Sequence, residues 1–379
     1  MHILWLDPFH GGSHAAVATG YAARSAHQVT LLTLPIAGGW RWRMRGGAVT
    51  LARLARAWGG RPDVIVASDM LDLAVFRALT AEWLAGVPTA LYLHENQLTY
   101  PLPPGRQRDL SFAWVNYTAA LAADAVLFNS AFHQRDFLAA LPALLGRYHD
   151  YQELASVAQI AAKSRVLAPG VDLSSLDGAA PVCAARQPPI ILWNSRWEYD
   201  KQPEVFFAAL EHLEACGFDF RLSVAGEHID PRAAAFVAAR SRWAQRIVHW
   251  GYVPSRAAYG ALLRQADIVV SAAAQEFFGI GVVEALYCGC TPLLPRRLNY
   301  PDLLPPAHHA TCLYDHDAAL ADALVAALRR VGSVPRATWR AIATPYNWAT
   351  MAPRYDALFA SLGAQGGCRA SPHPPTPSP

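Results

Sequence analysis

The segment EFFGIGVVE places two carboxylates on either side of a glycine-containing turn. Glu276 and Glu284 are separated by seven residues. A helix that begins near Gly279 would put Glu284 about a turn and a half inside it and leave Glu276 on the preceding loop. The start of a helix offers free N–H groups and a positive dipole end to an anion. The segment therefore predicts a nucleotide-diphosphate site, with one carboxylate for a sugar hydroxyl and one for a ribose. Two solvated glutamates are the alternative.

Two cations lie on another loop. Arg196 and Lys201 follow a predicted strand at Ile190–Trp193. An arginine binds phosphate oxygens through its planar fork, and a lysine binds them as a point charge. At the carboxyl end of a strand the two side chains are well placed to neutralise a pyrophosphate. The alternative is that they form surface ion pairs with Glu198 and Asp200.

Three further turns follow predicted strands. Tyr252 and Val253 lie in a turn that would hold a base through main-chain groups. Gly12 follows the first strand, where a glycine permits close approach of the backbone to a ligand. The run His94–Gln97 puts four polar residues at the carboxyl end of a buried strand. Such residues are costly there unless they bind something or face solvent. A hydrogen-bonded structural histidine is the alternative for His94.

Short apolar runs alternate with segments of helical spacing along the whole chain, and this alternation predicts the elements that position these residues. The first series of predicted strands is Ile3–Leu6, Val29–Leu34, Val64–Ala67, Ala90–Leu93, Ala125–Phe128 and Arg165–Leu167, with helices at Ser111–Ala122 and Ala131–Leu145. The second series is Ile190–Trp193, Phe220–Ala225, Ile247–Trp250, Ile268–Ser271 and Pro292–Leu294. The alternation predicts an α/β protein with two Rossmann-like, doubly wound domains that face a central cleft.

Composition sets the domain boundaries. We predict an amino-terminal domain at 1–178, a linker rich in alanine and proline at 179–189, and a second domain at 190–345. A terminal helix is expected at 346–362, packing back toward the first domain. The remaining tail, 363–379, is rich in glycine, proline and serine, so we expect it to be disordered.

The overall composition favours a well-packed α/β protein over a disordered chain. Of 379 residues, 53% are hydrophobic and only 16% are charged. No apolar run reaches the roughly 20 residues of a membrane span, and the chain opens on a strand rather than a signal peptide. The six cysteines include no CxxC pair. We therefore expect reduced thiols and a cytoplasmic protein without stable membrane insertion.

The segment GWRWRMRGG alternates arginines with large apolar side chains. Its candidate binding residues are Arg41, Trp42, Arg43 and Arg45. No acidic residue lies between Asp7 and Asp63, whereas several arginines do, so this part of the chain carries a positive electrostatic field.

Three interpretations of this segment remain open. If Arg45 to Trp58 is helical, Arg45, Arg53 and Arg56 lie within roughly 80° of one another. Such a face would neutralise RNA phosphates while tryptophan stacks on unpaired bases. A basic amphipathic helix also suits anionic lipid. The third interpretation is that the tryptophans are simply buried.

The motifs together resemble a known family. Arg196 and Lys201, followed by the Glu276–Glu284 pair, are similar to the retaining GT-B glycosyltransferases of family 4. A narrower resemblance, to the tRNA-queuosine α-mannosyltransferases, spans nearly the whole chain. It is carried by the segments FHGGSH, LPIAGGWRWRMRGGA, YLHENQLTYP, VLFNSAFH, SRWEYDKQPEVFF, VHWGYVPS and EFFGIGVVEALYCGC.

The resemblance implies roles for individual residues. The implied catalytic group is His94, Glu276, Arg196 and Lys201. The implied donor contacts are Gly12, Arg196, Lys201, Tyr252, Val253, Glu276, Phe277, Phe278, Gly279, Ile280 and Glu284. The implied acceptor contacts are His14, Arg41, Trp42, Arg43, Arg45, Glu95, Asn96 and Gln97.

The resemblance also implies the reaction, a retaining transfer of mannose from GDP-mannose to queuosine in aspartate tRNA. The leaving phosphate would take the acceptor proton, so no nucleophile is expected. No cofactor and no metal are expected, because two cationic side chains already neutralise the diphosphate. Asp317 of a DHD segment is most simply a helix cap. The partners implied are tRNA and a nucleotide sugar, with no protein partner.

Other functions stay open. One is a family 4 glycosyltransferase that acts on a lipid or envelope glycan, which predicts membrane association and activity without RNA. Another is a non-catalytic RNA-binding protein with the same GT-B fold, which predicts RNA binding without sugar transfer. Retention of Arg196, Lys201, Glu276 and Glu284 argues against the second.

Overall fold

The computed structural model describes residues 1–103, 105–147, 149–178, 188–227 and 234–369. Packing divides the chain into two compact units. The first unit comprises Met1–Tyr100, Gln107–Gly170 and the chain from Trp348, and the second comprises Pro101–Arg106 and Val171–Asn347. Each unit holds one parallel sheet.

The first unit contains, among its described residues, a six-stranded parallel sheet in the order β2-β1-β3-β4-β5-β6. Its strands are β1 (His2–His10), β2 (Gln28–Pro35), β3 (Val64–Ser68), β4 (Thr89–Leu93), β5 (Ala125–Phe128) and β6 (Ser164–Val166). Every residue of β3, β4 and β5 is buried, as expected for parallel strands covered on both faces.

Helices connect these strands. They are α1 (Gly12–Ala22), α2 (Trp40–Trp58), α3 (Leu73–Leu84), α4 (Leu110–Ala122), α5 (Ala131–Leu145) and α6 (Ala155–Ala162). Three of them begin at a capping side chain. Asp72, Asp109 and Ser130 each accept a hydrogen bond from a backbone N–H in the first turn of α3, α4 and α5. These caps satisfy N–H groups that have no partner inside the helix.

The second unit also contains a six-stranded parallel sheet within the described part of the chain, in the order β12-β11-β10-β7-β8-β9. Its strands are β7 (Ile190–Asn194), β8 (Arg221–Ala225), β9 (Ile247–Gly251), β10 (Ile268–Val270), β11 (Thr291–Pro295) and β12 (Leu313–Tyr314). β12 was not predicted, because two residues are too short to show periodicity. The predicted α/β fold with two doubly wound sheets is confirmed.

The helices of the second unit are α7 (Pro203–Ala215), α8 (Ala234–Arg242), α9 (Arg256–Gln265), α10 (Ile280–Tyr287), α11 (Tyr300–Leu303), α12 (His309–Cys312), α13 (Leu320–Leu328) and α14 (Arg336–Ala343). Short 3-10 turns lie at Ser174–Leu176, Tyr199–Lys201, Pro306–His308, Asp317–Ala319 and Thr344–Tyr346. The predicted capping role of Asp317 is wrong, because its side chain accepts a 2.7 Å hydrogen bond from Arg297 instead.

The last helix, α15 (Trp348–Arg369), packs on the core of the first unit. Trp348, Tyr355 and Phe359 are almost completely buried there. The Tyr355 hydroxyl donates to the Ala168 carbonyl at 3.0 Å. The helix continues past the predicted end at residue 362. Of the predicted linker and tail, residues 179–187 and 370–379 lie outside the described residues.

The contact between α1 and α15 gives a stability prediction. A Cβ on Gly20, inside α1, would overlap the indole of the buried Trp348. Gly→Ala inside a helix normally stabilises by about 1 kcal/mol. We expect Gly20→Ala to destabilise this protein instead, by about 1–3 kcal/mol, because of overpacking. Urea unfolding followed by fluorescence measures the change.

The double variant Gly20→Ala with Trp348→Leu is the control. Removal of the indole should relieve the overlap, so Gly20→Ala should cost less in that background. A stabilising effect of Gly20→Ala in the wild-type background would contradict the close packing of α1 against Trp348.

Candidate functional site

The topology of the second sheet locates a binding edge. β7 and β10 are neighbours, and the next strands along the chain, β8 and β11, lie on opposite sides of this pair. The connections therefore run in opposite directions and leave a crevice at the carboxyl ends, where α/β proteins bind ligands. Arg196 and Lys201 follow β7, and Glu276 follows β10. The fold thus brings the cationic loop and the first glutamate to one edge.

Lys201 is the most enclosed of these groups, with its side chain 7% exposed. Its Nζ donates to the Gln275 carbonyl at 2.7 Å and lies 3.1 Å from Asp200 Oδ2 and 3.4 Å from Glu276 Oε2. Burial opposes the charged form, but Glu276 and Asp200 outweigh it and raise the pKa of Lys201 above its ordinary value. The site therefore holds a permanently charged ammonium in a fixed position.

Arg196 is more open. Its guanidinium lies 3.1 Å from Glu198 Oε2, and about half of its side chain is exposed. Burial raises the pKa of Glu198, although Arg196 opposes this shift. The ion pairs that the sequence offered as an alternative, Arg196 with Glu198 and Lys201 with Asp200, are both present. These ion pairs orient the two cations.

The start of α10 lies against the end of β7. A Cβ on Gly281 would come within 2.8 Å of the Asn194 carbonyl oxygen, so only a glycine allows this approach. Asn194 Nδ2 donates to the Gly281 carbonyl at 2.8 Å. Gly279 precedes the helix with φ 95° and supplies no side-chain cap. The N–H groups of Ile280 and Gly281, which precede the first hydrogen bonds of the helix from Val282 and Val283 to the Gly279 carbonyl, therefore lie at the same edge.

Glu284 lies inside α10, and both of its carboxylate oxygens have partners. Arg256 Nη1 donates to Oε1 at 2.6 Å, and the Tyr259 hydroxyl donates to Oε2 at 2.8 Å. Asn194 Nδ2 in turn donates to the Tyr259 hydroxyl at 2.7 Å. The sequence did not identify Arg256 and Tyr259. Their spacing of three on α9 predicts a shared face, but no local signal points to Glu284 as their partner.

The remaining predicted donor contacts lie around this edge. Tyr252 is 63% exposed on the loop after β9, which is two strands away from β7. Val253 is half-buried on that loop. Phe277 and Phe278 are buried, and Asn299 Nδ2 donates to the Phe278 carbonyl at 2.9 Å. Their contacts with a donor stay a prediction.

The first sheet has an equivalent edge. β1 and β3 are neighbours, while the following strands, β2 and β4, lie on opposite sides of them. Asp7, His14 and Asp69 converge there, and each is at most 5% exposed. His14 Nδ1 lies 3.7 Å from Asp7 Oδ1, and His14 Nε2 lies 3.9 Å from Asp69 Oδ1. His10 Nδ1 lies 2.7 Å from Asp7 Oδ2. The two aspartates were not identified from the sequence.

His94 completes this cluster from the end of β4. Its ring stacks on His14 with centroids 4.1 Å apart and planes at 27°. Its backbone N–H donates to Asp69 Oδ1 at 3.3 Å, and its carbonyl accepts from Asn129 Nδ2 at 2.8 Å. Within the described residues, its buried Nε2 has no hydrogen-bond partner. The backbone of His94 is therefore held on both sides, and its ring is positioned by stacking on His14.

The two stacked imidazoles differ in charge. Burial opposes the charged form of His14, but Asp69 and Asp7 outweigh it and raise the pKa of His14 to about 9. Burial, with help from the charge on His14, holds the pKa of His94 well below its ordinary value. Burial also raises the pKa of Asp69, although His14 opposes that shift. A charged imidazole thus lies beside a neutral one.

The ligand atoms of His14, Asp69 and His94 lie within 4.8 Å of one another, a spacing that suggests a metal site. An imidazole coordinates an ion in its own ring plane, at about 2.1 Å. Two stacked rings at 27° have planes that do not meet that close to both nitrogens. In this arrangement His14 and His94 do not share one ion. The expected absence of a metal stays a prediction.

The other residues of the HENQ run maintain the loop. Asn96 is fully buried, and its Oδ1 accepts from the backbone N–H groups of Leu98 and Thr99 at 2.9 and 3.0 Å. This is the local turn that asparagine favours. Gln97 Nε2 donates to Glu95 Oε1 at 2.9 Å. Glu95 and Gln97 are partly exposed, whereas Asn96 is buried.

The tryptophan–arginine segment forms the first turns of α2, which begins at Trp40, before the position expected from the sequence. Arg41 and Trp42 are exposed. Arg43 donates to the carbonyls of Pro35 and Ala37 and so ties the preceding loop to the helix.

Arg45 is exposed, but it is paired with Asp109 at 3.0 Å and also donates to Ser111 at 2.9 Å. Arg43 therefore anchors a loop, while Arg41, Trp42 and Arg45 face solvent. Gly12 opens α1 with φ 51°, a conformation that favours glycine.

Comparison with solved structures identifies the class. A glycosyltransferase from Rickettsia africae aligns with a TM-score of 0.66 at 15% identity, over 95% of this chain and 98% of that one. At this identity the likeness concerns the fold. The two parallel, doubly wound sheets of this chain belong to the GT-B fold class.

Sequence comparison gives the family. Residues 2–171 match the family model for the tRNA-queuosine alpha-mannosyltransferase N-terminal region, and residues 188–330 match that for glycosyl transferases group 1. The tRNA-queuosine alpha-mannosyltransferase of Drosophila melanogaster is 33% identical over 313 residues, which cover 80% of this chain and 82% of that one. The chain belongs to the tRNA-queuosine alpha-mannosyltransferase family.

A more distant relative differs in its acceptor. The GDP-mannose:cellobiosyl-diphosphopolyprenol alpha-mannosyltransferase of Xanthomonas campestris is 28% identical over 208 residues, which cover 52% of this chain and 53% of that one. Among the described helices of our chain, none combines the length and the apolar character that a membrane crossing requires.

Two buried neutral histidines give a pH prediction. Burial lowers the pKa of His133 to about 3, and that of His94 is also depressed. Below the ordinary value of about 6.5 the unfolded chain binds protons at these residues and the native state does not, so stability falls as pH falls. His133 should cost roughly 2 kcal/mol between pH 7 and pH 5, and the depressed pKa of His94 acts in the same direction. His14 has the opposite shift, and its contribution is fully present below pH 6.5.

Urea unfolding at pH 7 and pH 5 measures this loss in the wild type and in His133→Gln. The difference between the two pH values should be about 2 kcal/mol smaller in the variant. His316→Gln, at an exposed position, is the matched control and should leave the difference unchanged. An equal acid sensitivity of wild type and His133→Gln would show that His133 titrates normally in the native state.

Proposed function

We propose that this enzyme transfers mannose from GDP-mannose to the queuosine nucleoside of aspartate tRNA, with retention of configuration. The observation that carries the proposal is the buried Lys201 ammonium, held by Asp200 and Glu276 beside the uncapped start of α10. This is the arrangement that a departing diphosphate requires. Membership of the tRNA-queuosine alpha-mannosyltransferase family supports the acceptor.

Lys201, Arg196 and the first N–H groups of α10 would bind the diphosphate. Negative charge increases on the phosphate oxygens as the bond to the sugar breaks. Donors that are already fixed stabilise this charge without reorganisation at the moment of reaction. Lys201 is fixed by its three oxygen neighbours, while the half-exposed Arg196 can move from Glu198 to the phosphate.

The two glutamates would bind the rest of the donor. Glu284 already accepts hydrogen bonds from Arg256 and Tyr259. A carboxylate has about four acceptor positions, so two remain for ribose hydroxyls. Glu276 is oriented by Lys201 and would bind a hydroxyl of the transferred mannose.

The neutral imidazole of His94 would bind a substrate hydroxyl through its unpartnered Nε2. In the reaction the bond from the anomeric carbon to the diphosphate oxygen breaks, and a bond to the acceptor oxygen forms on the same face. The acceptor proton passes to the leaving diphosphate. The chain's residues therefore position the reactants and stabilise charge, and none forms a covalent intermediate.

Exposed groups on α2 would bind the tRNA. Arg41 and Arg45 are at the helix surface and would neutralise phosphates, while Trp42 would contact an unpaired base. The free thiols Cys216, Cys288, Cys290 and Cys312 support action in the cytoplasm. A sugar donor linked to GDP is supported by the Xanthomonas campestris relative, whose name includes GDP-mannose.

That relative also supports a second candidate, transfer to a lipid-linked glycan. The basic face of α2 suits anionic lipid as well as RNA. The two candidates differ in acceptor and share the donor site.

Transfer is tested by incubating the purified enzyme with GDP-mannose, or separately with UDP-sugars, with and without queuosine-containing tRNA. The expected result is the addition of one hexose to queuosine in the nucleoside mass, with the GDP donor only. Lys201→Ala and Glu276→Gln should each lower kcat by roughly 100-fold or more, because they remove fixed electrostatic contacts.

Glu204→Gln is the matched control, because Glu204 is an exposed glutamate on α7. It should transfer at the wild-type rate. Absence of hexose on queuosine, together with transfer to a polyprenol-linked glycan, would favour the second candidate.

The RNA surface is tested by charge reversal. Arg41→Glu combined with Arg45→Glu should weaken tRNA binding. It should also reduce the slope of the logarithm of the binding constant against the logarithm of the salt concentration (the salt slope) by roughly one for each phosphate that the variant no longer neutralises. Arg43 is left intact because it anchors the loop before α2. Filter binding over a range of salt concentrations measures both quantities.

Arg221→Glu is the control, because Arg221 is an exposed arginine in the second unit. It should change affinity much less than the α2 variant. Unchanged tRNA affinity and salt slope in the α2 variant would exclude this surface from tRNA binding.

A further inference from the structure

Trp42 lies on α2 in a position that depends on one glycine. A Cβ on Gly46 would overlap Cζ3 and Cη2 of the indole. The six-membered ring therefore lies over the bare Cα of Gly46, one helical turn further along. A side chain at residue 46 would displace the ring.

Trp42 is also unusually open for a tryptophan. Its side chain is 55% exposed, although one side of the ring is covered by the helix. Trp40, two residues earlier, differs: it is half-buried and packs on Phe112 with ring centroids 4.9 Å apart. Trp40 thus serves the core, and Trp42 presents an aromatic face to solvent.

The surroundings of Trp42 are cationic. At about 100° per residue, Arg45 and Arg53 lie within roughly 60° of Trp42 on the helix surface. Both are exposed, and so is Arg41. Among the described residues, two acidic side chains pair with arginines of this face: Asp109 with Arg45 at 3.0 Å, and Glu82 with Arg56 at 2.8 Å further along the helix.

The start of the helix is held in place. Arg43 donates to two carbonyls of the loop that precedes α2, Pro35 and Ala37. Asp109 caps α4 and pairs with Arg45. The backbone that carries Trp42 is therefore anchored on both sides, and the ring needs little ordering when it binds.

We propose that the Trp42 indole, seated on Gly46, is a stacking platform for one unpaired base of a single-stranded RNA segment. The phosphates that flank this base contact Arg41 and Arg45, while Arg53, about 16 Å further along the helix axis, would contact a more distant phosphate. The inference rests on the proposed function only in taking RNA as the macromolecule that this surface binds.

The geometry favours a nucleic-acid base over the other occupants. A ring that lies on its own helix presents a face, and every base has a π-face that stacks on it. Insertion into a membrane interface needs a continuous apolar helix face that is buried about 5–10 Å deep, whereas Trp42 is flanked by the exposed Arg41 and Arg45. Exposed cations beside the ring match the charge of an RNA backbone.

The test is a set of double-mutant cycles, in which variants of the full-length protein are combined with altered RNAs and the affinity of each pair is measured. The probe is a fluorescein-labelled single-stranded RNA of anticodon-loop length, and fluorescence anisotropy at fixed salt gives Kd. Trp42→Ala should weaken binding about tenfold, which lies in the range for loss of one stacked base. Gly46→Ala should also weaken binding, because the ring is displaced while the helix keeps a good helix former.

Abasic substitution along the same RNA identifies the stacked base. In the wild type, one position should lose about tenfold in affinity when its base is removed. Trp42→Ala should make binding indifferent to that position, because the ring and the base act as a pair. Leu79→Ala, which removes an exposed apolar side chain from α3, should retain both the affinity and the sensitivity to the abasic position. Thermal melting checks that each variant is folded.

Several results would overturn the platform. One is that the affinity losses from Trp42→Ala and from base removal are additive at every abasic position. Another is that Trp42→Ala weakens binding to an RNA duplex of the same sequence as much as it weakens binding to the single strand. A third is that Trp42→Ala lowers binding to vesicles of anionic lipid and leaves RNA binding intact, which would assign the surface to membranes.

The outcome is separable from that of the proposed reaction. If wild-type protein transfers no hexose to queuosine but Trp42→Ala abolishes the sensitivity to one abasic position, the proposed reaction is wrong and the stacking platform is supported. If transfer occurs but Trp42 is coupled to no single base in binding, the stacking platform alone is wrong.

Discussion

Each sheet of this protein reverses the direction of its connections beside its first strand, and the position of the polar edge in each unit depends on this topological constraint. β1 and β3 are neighbours in one sheet, as β7 and β10 are in the other. The crossovers on either side depart in opposite directions, so the carboxyl ends of these pairs stay uncovered. Polar groups elsewhere in such sheets would lie among apolar side chains. Here they collect where neighbouring loops supply partners for them.

Both edges fix charge before any ligand arrives. In the second unit, Asp200 and Glu276 hold Lys201 as an ammonium although it is buried. In the first unit, two aspartates hold His14 in its charged form while the adjacent His94 stays neutral. Preorganised charge of this kind is the main means by which enzymes stabilise a developing anion.

The α2 surface illustrates how one sequence motif divides into different tasks. Four residues of the segment were predicted to bind the acceptor together. In the structure Arg43 ties down a loop, Arg45 is paired with Asp109, and Arg41 and Trp42 face solvent. The difference arises because helical geometry sends consecutive side chains in different directions. An alternating pattern read along the chain therefore does not describe one continuous face.

The sequence by itself predicted the described strands except β12, a minority of the helices, and the meeting of Lys201 and Glu276 at one sheet edge, because periodicity and spacing are local properties of the chain. Only the tertiary structure revealed that Arg256 and Tyr259 are partners of Glu284, or that Asp7 and Asp69 surround His14. These groups are far apart in sequence and meet through strand order and helix packing. Strand order depends on which buried surfaces fit together, and a local pattern carries no record of that choice.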